Sequence, residues 1–347
     1  MRHSTITNDR SNFKNNGGIQ KLGFLCLVVF VALFSSCNDD NISAREDCIP
    51  HTQFYAVPPD AEIISTGAPP LFKKTHPIIL AVSFNPNNSD ELVFLVLPGG
   101  YPTPMEIVKF NIQTSERTIL TSGYFGAFVK WGKNDKILLK ITEPSGFAGR
   151  VAKIDSDGKN LTIIADDGSC TPGDWDYEGD RFIYSIGFTN PTVSKIREVG
   201  GNFIDSTFRG CQDGSWQHPH FAVTNRGDGI TITNPDDPSV LRYLIPSGLD
   251  RIAQGGRGAI WLDERRAFWC HTNGLYITDI VTEEHDKVRT TCNADFYYNP
   301  TYAPDIDKLI LVNGQRIRDS DTTGRFITNL VMMNPDGSGE EVLYVLE

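Results

Sequence analysis

Six times along the 347-residue chain an aromatic residue leads through a short polar turn into a burst of strand-forming residues. The copies begin at Phe84, Trp131, Trp175, Trp216, Trp261 and Tyr302, at intervals of 47, 44, 41, 45 and 41 residues. Short strands recurring with a period in the forties mark a β-propeller. The bursts run Glu91–Val96, Lys136–Ile141, Arg181–Ile186, His220–Thr224, Arg266–Cys270 and Lys308–Val312, and are rich in β-branched and aromatic residues. Their lead-ins are Gly, Pro, Asn and Asp, which accept tight-turn backbone angles. The fourth copy deviates, carrying Gln217-His218-Pro219-His220 in place of the polar turn.

A second signal follows in every period: another apolar run, a polar hairpin and a last short strand. The hairpins are Gln113–Glu116, Asp155–Gly158, Glu198–Gly201, Asn234–Asp237, Thr282–His285 and Asn334–Gly337. Each period therefore supplies four strands. One blade alone cannot bury both of its faces, whereas a closed ring of blades gives each a neighbour on either side. The fold class read from the chain is all-β, a six-bladed β-propeller of four-stranded antiparallel blades over residues 77–347.

The aromatic-turn-strand unit resembles the WD40-like repeats of TolB-like propellers, in which an aromatic precedes Ser-Pro-Asp-Gly and a strand. Tyr302-Ala303-Pro304-Asp305 and Asn334-Pro335-Asp336-Gly337 come nearest to it. The resemblance implies a fold far more than an activity, since such repeats serve transport-accessory proteins, sugar lyases and peptidase-associated domains alike.

Residues 1–36 read as a signal peptide. Lys14 and Lys21 precede the 13-residue apolar stretch Leu22–Phe34, too short for a membrane span of about 20 residues. It ends in Leu33-Phe34-Ser35-Ser36-Cys37, which resembles a bacterial lipoprotein processing box and marks Cys37 as the lipidated residue. Asn38-Asp39-Asp40 resembles the surface-export signal of Bacteroidetes lipoproteins. The expected location is the outer membrane of the cell envelope, facing periplasm or exterior. Residues 37–50 read as a tether, and 51–76 as an N-terminal extension that packs over the ring or adds a strand to a terminal blade.

A formal net charge of −11 without a basic cluster argues against a nucleic-acid partner. Beyond Cys26 and Cys37 the chain carries Cys48, Cys170, Cys211, Cys270 and Cys292. An oxidising compartment favours pairing, and the repeat places Cys170, Cys211 and Cys292 in linkers between blades, with Cys270 at the same end of the ring. Cys270–Cys292 is the first disulfide candidate and Cys170–Cys211 the second; buried thiols are the alternative for each.

Gln217, His218 and His220 are the most metal-like set. Oligogalacturonate lyases, TolB-like propellers with a His- and Gln-ligated metal, make the comparison worth drawing. Here the string falls on a turn, and no third histidine sits at a matching one, since His76, His271 and His285 belong elsewhere. No metal or other cofactor is expected. Asp155, Asp157, Asp319 and Asp321 space oxygens as calcium loops do, but lack the distal Glu of an EF-hand. Arg226-Gly227-Asp228 reads as turn. No Gly-x-Ser-x-Gly elbow exists to host a nucleophile.

Propeller loops on a rigid scaffold carry function. The longest expected loops lie on the face of the blade-to-blade linkers: Pro98–Pro104, Glu143–Phe147, Ser247–Arg257 and Asn313–Thr323. Tyr101, Phe147, Arg251, Arg257, Arg316 and Arg318 are the ligand-binding candidates there. The reading is a monomeric, lipid-anchored binding or scaffold module for a protein or glycan partner, touching the membrane through its anchor alone. The alternative is a polysaccharide lyase or hydrolase working at the channel mouth.

Overall fold

The computed structural model describes residues 62–63, 71–72 and 77–346, apart from 100–102, 144–148, 188–192, 200–202, 210–213, 218, 225–228, 247–255, 272–273, 292–294 and 319–322. All of these belong to the compact unit Cys48–Glu347. Every regular element among them is a strand. Two short ones come first, β1 (Glu62–Ile63) and β2 (Leu71–Phe72).

The ring follows in chain order. Blade 1 holds β3 (Ile78–Asn85), β4 (Asn88–Leu97), β5 (Met105–Asn111) and β6 (Arg117–Gly123). Blade 2 holds β7 (Phe125–Trp131), β8 (Lys136–Thr142), β9 (Gly149–Asp155) and β10 (Thr162–Ala165). Blade 3 is β11 (Cys170–Trp175), β12 (Arg181–Ile186), β13 (Val193–Glu198) and β14 (Phe203–Arg209). Blade 4 is β15 (Ser215–Gln217), β16 (His220–Thr224), β17 (Ile230–Asn234) and β18 (Asp237–Leu244). Blade 5 is β19 (Gly256–Trp261), β20 (Arg266–His271), β21 (Gly274–Asp279) and β22 (His285–Thr290). Blade 6 is β23 (Asp295–Ala303), β24 (Lys308–Arg318), β25 (Thr323–Met333) and β26 (Glu341–Val345). Within each blade the strands pair antiparallel in sequence order, so the molecule is the six-bladed propeller of four-stranded blades that the repeat predicts.

Burial follows position in the blade. The second strand is covered on both faces by neighbouring blades, and Leu92–Leu97 of β4 are all buried. The outermost β6 has no buried residue. The repeated aromatics end the innermost strands, and their amides and indoles tie the blades together. Ser83 Oγ accepts from Trp131 N (3.0 Å), Asp174 Oδ2 from Trp216 N (2.9 Å) and Thr301 Oγ1 from Phe84 N (3.0 Å). At two further interfaces the indole donates instead: Trp175 Nε1 to Lys130 O (3.2 Å) and Trp261 Nε1 to Ser215 O (3.0 Å).

Each blade's four strands are consecutive, so no blade borrows one of its four from the other end of the chain. Closure between blades 6 and 1 rests on side chains. Tyr298 Oη and Asn299 Nδ2 donate to Ile79 O and Leu80 O, each at 2.6 Å, and Thr328 Oγ1 accepts from Ile79 N at 2.6 Å. Phe94, Phe110, Val312 and Leu330 share one apolar cluster across that seam, with Tyr344 packed against it.

One expectation changes. Asn313–Thr323 was expected as a loop; instead β24 runs on to Arg318 and pairs with β25 from Thr323 onward. The extension adds strands to the last blade, flanking that long hairpin: β1 pairs antiparallel with β24 (Ile63↔Ile317) and β2 parallel with β25 (Phe72↔Gly324).

Candidate functional site

A basin of about 480 Å³ opens where all six innermost strands end, on the face of the turns between first and second strands. Its wall comes from the ends of those strands, with Trp131, Trp175, Trp216, Trp261 and Tyr302 among its lining residues. Beneath it the inner strands of blades 1, 2, 5 and 6 close to a void of about 10 Å³ against Ala81, Ala127, Ala259 and Pro300. Gly258 permits this approach: its φ is +107°, and a Cβ there would meet Pro300 Cδ at 2.8 Å. Lys130 lines both the basin and this constriction. A second lobe of about 470 Å³ shares Asp176, Tyr177 and Gln217 with it and adds Glu178, Arg181 and Glu264.

The residue just ahead of each aromatic sits at the same level of the ring. These residues are Ser83, Lys130, Asp174, Ser215, Ile260 and Thr301. Asp174 is the chemically unusual one. Its Oδ1 accepts from Trp175 N and its Oδ2 from Trp216 N, both at 2.9 Å. Burial nevertheless pushes its carboxyl above the ordinary value, against the opposing pull of Lys130 and the hydrogen bonds. Tyr302 is no base at neutral pH: burial and its hydrogen bond to Asp307 Oδ1 (2.9 Å) push its phenol up to about 12.

Carboxylates at the basin rim are engaged by protein donors. Arg181 Nε donates to Asp176 Oδ2 (3.0 Å), Arg266 Nε to Asp263 Oδ2 (2.7 Å) and Ser89 Oγ to Asp305 Oδ2 (3.3 Å). Lys133 lies 3.4 Å above the ring of the exposed Tyr177.

The residues singled out from sequence fare unequally. Gln217 lies in the basin wall, paired across the strand with His220, whose ring sits 6.2 Å from that of Trp261. His218 lies outside the described residues, and among those described no cluster of three metal-ligating side chains occurs. Asp155 and Asp157 serve a turn: Lys136 and Asn160 donate to the first, Lys159 to the second. Asp319, Asp321 and Arg226-Gly227-Asp228 lie outside the described residues. So do Tyr101, Phe147 and Arg251, and the side chains of Arg257, Arg316 and Arg318. Cys170 is a free, buried thiol whose proton burial holds more tightly, and Cys270 is fully buried at the end of β20. Cys48, Cys211 and Cys292 lie outside the described residues. Lys130 and Asp174 were missed from sequence, because the residue before each aromatic varies in chemistry from copy to copy.

No protein-family description matches the chain, and no curated protein does. Among solved structures it is similar to the calcium-binding protein regucalcin of Agrobacterium tumefaciens, at 13% identity over 73% of this chain and 87% of that one, TM-score 0.51. It is also similar to the β-propeller domain of the trilobed protease of Pyrococcus furiosus (10% identity, 79% and 99% covered, TM-score 0.48). TolB of Acinetobacter baumannii is a third (15%, 76% of this chain, TM-score 0.37), and the chain spans only 53% of its length. Such identities speak to fold alone: the chain is a six-bladed propeller with TolB-like structures among its neighbours. It carries a two-lobed basin on the turn face.

Proposed function

We propose that this chain is a lipid-anchored cell-envelope protein whose propeller binds a protein or glycan partner, with the partner's contacting group seated in the turn-face basin. The observation that carries the reading is the basin itself, a concave site with polar and aromatic walls drawn from every blade. Outer-membrane attachment through Cys37 rests on the signal-like segment Leu22–Cys37. Full-length protein isolated from its own envelope is expected in the membrane fraction with a co-purifying partner. Cys37→Ala protein should leave that fraction. Retention of Cys37→Ala protein in the membrane contradicts the anchor, and turnover of an envelope polysaccharide without a retained partner favours a lyase or hydrolase.

A further inference from the structure

The basin's acidic rim is less available than its residue types suggest. Asp176, Asp263 and Asp305 accept from Arg181, Arg266 and Ser89, and both oxygens of Asp174 accept backbone N–H groups. What stays unspent in the inner lobe is a set of donors. The half-buried Lys130 ammonium stands on the basin floor and makes no ion pair or hydrogen bond among the described residues, its charge acting through space on the buried Asp174 carboxyl. Gln217, on the wall between the lobes, likewise has no side-chain hydrogen bond among the described residues. The Lys133 ammonium lies over the face of Tyr177 and makes no ion pair among the described residues. The outer lobe differs, because it keeps Glu178 and Glu264 as carboxylates without a partner among the described residues.

Donors without acceptors in a concave site fit an anionic, acceptor-rich group, because an unmatched buried donor loses hydration without compensation. Carboxylates without donors in the adjoining lobe fit hydroxyl groups. One ligand carrying an acid at one end and hydroxyls beside it satisfies both. We infer that the turn-face basin binds an acidic saccharide, with the sugar carboxylate at Lys130 and Gln217 in the inner lobe and the hydroxyls of the next ring at Glu178 and Glu264. A concave basin of this size admits a narrow saccharide chain more readily than the flat face of a folded protein. The inference rests on the basin being the binding site, as proposed above, and adds the chemistry of what it holds.

Four of the chain's five tryptophans line the basin, so fluorescence of the full chain reports occupancy directly. Uronic-acid di- and trisaccharides should change it saturably. The same sugars with the carboxyl reduced to an alcohol should bind at least about tenfold more weakly, as loss of a charge-assisted contact requires. Lys130→Met should bring the uronate down to the reduced sugar's affinity while the melting temperature stays near wild type, and Lys130→Arg should recover part of the difference. Gln217→Ala should cost a smaller factor, about threefold to fivefold. Equal binding of uronate and reduced sugar, or unchanged uronate affinity in Lys130→Met, overturns the inference. Succinate binding as tightly as the uronates, or an acidic peptide binding where the uronates do not, overturns the saccharide assignment. If every saccharide fails while an envelope partner still co-purifies, the inference falls and the binding-module reading stands.

Discussion

Asp174 performs two tasks that pull against each other. Its oxygens fasten blade 3 to blade 4 by accepting the amide of Trp216, which favours the ionised form, yet its burial favours the neutral one and prevails. A carboxyl whose folded-state pKa is raised binds its proton more tightly in the native protein than in the unfolded chain. The stability this contributes is fully present below the ordinary carboxylate value of about 3.9 and is lost as pH rises through the raised value. Asp174→Asn does not titrate there. Urea midpoints measured across the acid range should therefore show wild type gaining on the variant as pH falls from neutral; a constant difference would contradict the raised value. The aromatic repeat located this position without naming its chemistry. Trp131, Trp175, Trp216 and Trp261 announce themselves by period, whereas the residue ahead of each varies from Lys130 to Ile260 and carries no repeating signal. Only strand geometry, which sets successive residues on opposite faces, turns that variable column into the basin wall.

At the scale of elements, the strands and hairpins were legible almost to the residue, and the long hairpin of blade 6 was not. Arg181–Ile186 was anticipated with the bounds it has as β12. Asn313-Gly314-Gln315 interrupts the apolar run of β24 with turn-like residues, so its local chemistry points to a loop. Pairing elsewhere in the chain overrides that preference. Phe296 and Phe326 stack with ring centroids 5.6 Å apart beside Gly314, where a Cβ would meet Phe326 Cζ at 2.8 Å. The flanking strands β1 and β2 then cover both edges of the hairpin, which otherwise presents unpaired backbone groups. Removal of residues 48–76 should raise amide exchange at Arg316–Arg318 and Thr323–Phe326 by at least about tenfold, the range expected when local opening becomes easier by roughly 1.4 kcal/mol. Blade 3 should exchange as before. Unchanged protection in the hairpin would show that these strands add nothing to it.

For the molecule as a whole, no blade takes one of its four strands from the other end of the chain; side-chain rivets tie blade 6 to blade 1, while β1 and β2 add to the last blade's hairpin. Tyr298, Asn299, Thr301 and Thr328 all reach backbone groups of β3, and residues of both blades share a core. None of this was readable from sequence, because the contacts join residues more than 200 positions apart and repeat periodicity is blind to them. Loop length directed attention to the linker face, while the basin lies on the opposite one, among the short turns. Short turns leave the channel mouth open there; the linker-face candidates, as residues or as side chains, lie outside the described ones. The placement of binding on the turn face is the central claim, and photo-cross-linking in intact cells tests it most directly. A cross-linking side chain should replace Tyr177 at the basin rim in one full-length protein and Arg251, which the sequence assigns to a linker-face loop, in another. The account predicts an adduct from position 177 that Lys130→Met with Gln217→Ala abolishes, and none from position 251. An adduct from position 251 that survives the loss of Lys130 and Gln217, with none from 177, would contradict it.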